Sequence, residues 1–147
     1  SKFLPITHKD MTRFWITLEQ GVNFVVDSFK KMHGGEIFIP KMPSIKMVDL
    51  AKSLDTKIRI DFVGIRPGEK LHEVLVPSDL SSQTFEDKYS FTVLQSFSVN
   101  KKNIFYNFYK KKFKLVNQGF EYNSENNNNY LNINQIKKLN KEYTDSL

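Results

Sequence analysis

Arg13, in MTRFW (residues 11–15), and Arg66, in GIRPGEKLHE (residues 64–73), each stand just ahead of an expected helix start. A guanidinium in such a place can clamp an anion. Its planar fork of donors adds to the free amides and the positive end of the helix dipole. Glu69 follows Arg66 by one turn and can accept hydrogen bonds from sugar hydroxyls. Two arginines and one carboxylate fit a nucleotide diphosphate carrying a ribose. Taken singly, each has a plainer reading: Arg13 as a surface arginine stacked near Trp15, Arg66 in a salt bridge to Glu69 or Glu73.

Other chemistry is thin. Tyr106-x-x-x-Lys110 has the catalytic Tyr/Lys spacing of short-chain dehydrogenases, but lysines and aromatics crowd that stretch and make the match a chance one. The six glycines form no GxGxxG loop for a dinucleotide. Lysines interleaved with aromatics in NIFYNFYKKKFKL (103–115) could touch phosphates and stack on bases. No nucleic-acid motif surrounds them, and a half-buried strand or hairpin with a solvated lysine face fits better. His8, His33 and His72 have no metal-ligand spacing, and the absence of cysteine excludes disulfides and thiolate sites. No metal site is expected.

The elements that must position the charged residues read as α/β. FLPIT (3–7) is extended. Thr17 and Gln20 form a capping box, after which Leu18, Val22, Val25, Phe29 and Met32 make one apolar stripe, with Lys30 and Lys31 at the helix end and Gly34-Gly35 closing it. EIFIP (36–40) is a short strand, and Ser44 is placed to cap a helix whose Ile45, Val48, Leu50 and Ala51 face inward. KIRIDFVGI (57–65) alternates with period two, as a strand does, and PGEKLHEVLV (67–76) is expected to begin a helix at Pro67. Beyond it, residues 78–90 are a polar connection, 91–99 a strand, 123–130 an Asn-rich loop or capping segment and 133–143 a short helix.

The 147 residues suffice for a core, and a formal charge of +6 favours polyanions only weakly. No apolar run is long enough for a transmembrane helix or a signal-peptide core, so a soluble, cytoplasmic chain is expected. The start at Ser1, followed almost at once by strand-like sequence, is compatible with a mature or trimmed protein and equally with the C-terminal part of a longer one.

Four stretches, in order, carry a resemblance: PITHKDMTRFWITLEQGVNFVVDSF, GGEIFIPKMPSIKMVDLAKSL, GIRPGEKLHEVLV and EYNSENNNNYL. They resemble the C-terminal part of inverting UDP-N-acetylglucosamine 4,6-dehydratases, within the extended short-chain dehydrogenase/reductase superfamily. The resemblance implies an α/β, substrate-binding part without its Rossmann domain. Residues 1–78 would form the substrate-binding region and 79–147 a C-terminal extension. NADP and the catalytic residues would belong to the missing N-terminal domain, supplied in cis or in trans, so no catalytic residue is expected in this chain.

The family reaction oxidises C4 of the sugar, eliminates water across C5 and C6 and returns hydride to C6 with inversion at C5. By resemblance Arg66 holds the diphosphate, Glu69 the ribose hydroxyls, Arg13 a second phosphate contact and Thr7 the substrate. His8 stands where the family has Asp. Residues 95–118 fit the family poorly. A UDP-sugar partner and a homo-oligomeric parent are implied; nucleic acid and membrane are not. The alternatives are another UDP-sugar epimerase or dehydratase, or a basic nucleic-acid-binding or scaffold module.

Overall fold

The computed structural model describes residues 3–94 and 99–145. In chain order its elements are β1 (Phe3–Ile6), β2 (Thr12–Phe14), α1 (Leu18–Lys31), β3 (Glu36–Pro40), β4 (Ser44–Lys46), α2 (Met47–Leu54), β5 (Arg59–Phe62) and β6 (Val74–Val76). A 3-10 helix (Ser78–Gln83) follows, then β7 (Thr84–Glu86), β8 (Ser90–Leu94), α3 (Val99–Lys112), β9 (Lys114–Leu115), β10 (Tyr122–Asn123) and α4 (Ile133–Asp145). The α/β class is as expected. The chain forms two compact units, Ser1–Trp15 with Met42–Glu73 and Asn123–Leu147, and Ile16–Lys41 with Val74–Tyr122. Each draws on both sides of residue 78.

In the first unit β1 runs parallel to β5, with Phe3 opposite Arg59 and Ile6 opposite Phe62. The short β2 lies antiparallel to β4, pairing Arg13 with Ile45. Helices α2 and α4 pack together, and Ile6, Met11, Ile45, Ala51 and Ile136 are buried. Ser44 is not the cap of α2. It is a buried residue of β4, and Lys46 takes the N-cap position without a side-chain bond. Its backbone is claimed instead by the Asn-rich segment: Ser44 N donates to Asn129 O and Ser44 O accepts from Leu131 N. Asn132 and Gln135 exchange reciprocal side-chain to backbone bonds at the start of α4.

The second unit holds an antiparallel sheet in the order β3-β8-β7-β9. Residues 103–115 are not a strand or hairpin: α3 runs to Lys112 and only Lys114–Leu115 are extended. Tyr106, Tyr109 and Phe113 recur at steps of three and four, so one helical face gathers them against Phe85 and Leu94. The rings are thereby spent on packing, while Lys110, Lys111 and Lys112 occupy the last turn, where cations suit the dipole. Tyr106 and Lys110 do lie one turn apart, with the Tyr106 ring edge-on to Phe85.

Helix α1 has the expected capping box, with Gln20 N donating to Thr17 Oγ1 (3.2 Å) and Thr17 N to Gln20 Oε1 (3.1 Å). Its apolar stripe faces outward: Leu18 is 72%, Val25 66% and Phe29 76% exposed, while the half-buried face carries Gly21, Phe24 and Ser28.

Glu36, at the start of β3, accepts from His33 N (2.9 Å), Gly34 N (2.7 Å) and the Tyr109 hydroxyl (3.1 Å). Burial alone would raise its carboxyl, but these donors outweigh it and hold the group below its ordinary 4.5. Burial, then the Glu36 charge, push the Tyr109 phenol up. A carboxylate depressed in the folded state contributes stability that is present above pH 4.5 and lost as pH falls through the lowered value. Tyr109→Phe is expected to cost about 1.5–3 kcal/mol at neutral pH. The deficit should shrink on acidification below that range, which denaturant melts at several pH values would read.

Candidate functional site

The four expected site residues all lie in the first unit: Arg66 and Glu69 on the loop after β5, Thr7 just beyond β1 and Arg13 on β2. Val63 N donates to Ile6 O and continues the β1–β5 pairing up to the loop. Arg66-Pro67-Gly68-Glu69 then makes a tight turn closed by Glu69 N to Arg66 O (3.0 Å), with Gly68 at φ +80°. Proline second and a left-handed glycine third are the marks of a type II turn.

Here the expected helix of 67–76 fails. A left-handed residue one step after the proline stops helical propagation, and the chain bends at Leu71 and His72 before entering β6. Nothing crowds the Cβ position of Gly68, so the cost of a side chain there is conformational alone. Gly68→Ala should therefore destabilise the turn by roughly 1–2 kcal/mol, seen as faster amide exchange across the loop in an otherwise native protein.

The turn brings three of the four residues together. Glu69 Oε1 accepts from the Thr7 hydroxyl (3.1 Å), just beyond β1, and Oε2 from Arg66 N (3.1 Å). A carboxylate has about four lone-pair sites, so two remain for incoming hydroxyls. The expected salt bridge of Arg66 to Glu69 or Glu73 is not formed. Glu69 takes the Arg66 amide instead, and the exposed guanidinium has no partner among the described residues.

Arg13 behaves differently. One terminal nitrogen donates to Thr12 O (2.7 Å) and Leu71 O (3.1 Å), the other to Lys70 O (2.9 Å), and Nε lies 3.9 Å from Glu73. Its fork fastens the far end of the loop, which leaves one terminal N–H for any anion.

Sequence reasoning missed the residues that hold that far end. Glu73 Oε2 accepts from Phe14 N (2.9 Å). Its own amide donates to Ser124 Oγ (2.9 Å), and its carbonyl accepts from Ser124 N (2.8 Å). Thr12 N donates to Leu71 O, and Thr12 Oγ1 lies 2.7 Å from both His72 Nδ1 and Ser124 Oγ. His72 thus has a hydrogen-bonded place in the site, with Nε2 3.5 Å from Glu125. The available signal was the EYNSENNNNYL stretch itself, which carries Ser124. Tyr130 closes the segment by donating to Ser124 O (2.6 Å), and burial pushes its phenol up. Among the described residues no cluster of His, Asp and Glu could hold a metal, and no helix is long and apolar enough to cross a membrane.

Residues 1–95 match a family model described as polysaccharide biosynthesis protein. The UDP-N-acetylglucosamine 4,6-dehydratase (inverting) of Campylobacter jejuni serotype O:2 is 49% identical over 129 residues, covering 86% of this chain and 39% of the relative. A UDP-glucose 4-epimerase of Rickettsia conorii is 43% identical over 82 residues, 53% of this chain and 24% of the relative. The X-ray structure of Pen from Bacillus thuringiensis superimposes with a TM-score of 0.76 at 27% identity, over 96% of this chain and 41% of that one. The chain thus spans 39% of the length of the dehydratase it matches, a proportion that fits a C-terminal part.

Proposed function

This chain belongs to the polysaccharide biosynthesis protein family, and from that premise we propose that it is the substrate-binding portion of a C5-inverting UDP-N-acetylglucosamine 4,6-dehydratase. The observation that carries the reading is the Thr7–Glu69–Arg66 group. One turn presents a guanidinium with no partner among the described residues, beside a carboxylate already fixed on two sides. Arg66 would grip the diphosphate, and the free lone pairs of Glu69 would take the ribose hydroxyls. Thr7 would orient Glu69 and border the substrate. Arg13 would offer its remaining N–H to phosphate while holding the loop.

The residues of this chain do not fit NADP, since its six glycines provide no dinucleotide loop. In the parent enzyme NADP would accept and return the hydride, held by a Rossmann part joined in cis or in trans. Without that part the chain would be inactive. The outward stripe of α1 suits such a partner: about three fifths of the matched dehydratase has no counterpart here, and an exposed apolar helix face needs a cover. A cytoplasmic, homo-oligomeric parent completes the proposal.

The test is to combine the chain with its Rossmann counterpart and follow UDP-N-acetylglucosamine by NMR. Loss of water with inversion at C5 is the expected result. A C4-epimerised product with water retained would move the chain to the epimerases, the reading that the Rickettsia relative favours. A well-folded complex with no turnover would remove both.

A further inference from the structure

The loop that carries Arg66 and Glu69 has little apolar anchorage. Gly64 to Gly68 are all exposed, and Ile65 is 45% exposed. Its geometry must therefore be held by polar ties, and these converge on the residues just after the turn. Lys70 and Leu71 are held through their carbonyls, by Arg13 and the Thr12 amide. Glu73 is held at its amide, its carbonyl and its carboxylate.

Two buried hydroxyls join these ties. Ser124 is fully buried and Thr12 nearly so, and they meet at 2.7 Å although 112 positions apart. Ser124 Oγ accepts the Glu73 amide and shares a hydrogen bond with Thr12 Oγ1 in which either hydroxyl can donate; Thr12 Oγ1 also pairs with His72 Nδ1. A segment distant in sequence, Asn123 to Asn127, is thus bonded into the exit of the nucleotide loop. It is fixed in turn, because Asn127 Nδ2 donates to Met42 O (2.7 Å) and Ser44 Oγ (3.0 Å).

We propose that Thr12, Ser124 and Glu73 are positioning residues for nucleotide binding: they set the placement of Arg66 and Glu69 without touching the ligand. This role rests on the nucleotide reading of the loop. Sites of this kind must be held within a fraction of an ångström, and a buried hydrogen-bonded network supplies that rigidity where apolar packing is absent.

Thr12→Val keeps the side-chain shape and removes the shared oxygen, whereas Thr12→Ser keeps the oxygen. In the complete enzyme, the Thr12→Val dissociation constant for UDP, measured by calorimetry, should rise roughly tenfold, the scale of an unmade buried hydrogen bond. Amide exchange at Lys70 to Glu73 should accelerate by a similar factor. With UDP-N-acetylglucosamine the loss should fall on KM far more than on kcat. Thr12→Ser should restore all three.

Should Thr12→Val fail to fold, Ser124→Ala removes the oxygen that accepts the Glu73 amide and meets Thr12, and should act in the same direction. Arg66→Ala serves as the companion, weakening UDP while leaving exchange at 70–73 as in the parent. Unaltered UDP affinity and exchange in a folded Thr12→Val or Ser124→Ala protein would overturn the positioning role alone. An unaltered UDP affinity in Arg66→Ala would remove the nucleotide reading, and the role with it, whatever the exchange data showed.

Discussion

Replacing Arg66 with alanine is expected to weaken UDP-sugar binding in the reconstituted enzyme by about 2–4 kcal/mol. The size follows from what the side chain is doing beforehand. Its guanidinium is exposed and has no partner among the described residues, so no internal bond must be broken before it meets a phosphate. Its backbone is fixed by the turn and by Glu69 Oε2, so little order is left to impose at the base of the side chain. Arg66→Lys keeps the charge but loses the planar fork, and should recover only part of the affinity. Calorimetry with UDP reads both variants. Affinity equal to that of the parent would return Arg66 to the status of a surface arginine.

Phe85→Ala is expected to cost about 3–5 kcal/mol of folding stability, the range for deleting a buried aromatic ring. Phe85 is 1% exposed on the central strand β7, opposite Thr92 on one side and Leu115 on the other. Its ring lies 5.3 Å from that of Tyr106 and 5.7 Å from that of Tyr109. Few side chains on a short strand could close over so large a void, so the upper part of the range is expected. Against a typical domain stability of about 5–15 kcal/mol, this is a large share. A urea melt should show a lower midpoint for the unit containing β7, whereas Phe85→Leu, which fills most of the space, should lose far less.

Much of the framework was legible because local periodicity and local chemistry agreed with the fold. β3, β5 and the capped start of α1 have spacings that neighbours alone explain. The helix expected from Pro67 fails because the left-handed glycine after it outweighs the helix-like apolar spacing that follows. Residues 103–115 were misjudged for the opposite reason: β-prone aromatic residues concealed a step of three and four that only tertiary packing makes decisive. Grouping Arg66 with Glu69 needed only one turn of chain. Arg13 could be placed near the loop, but a sequence does not distinguish a guanidinium facing an anion from one facing three carbonyls. The contact of Thr12 with Ser124, across 112 positions, lies beyond any local signal.

The outward stripe of α1 also sets how the chain behaves as a solute. Each Å² of that stripe in water costs on the order of 25 cal/mol, so molecules that meet face to face on α1 gain by staying together. Colloidal behaviour should thus depend on concentration and on salt through this helix. Leu18→Glu with Phe29→Lys, on a stripe that contributes no buried residue to the fold, would keep the chain dispersed without altering residues 64–69.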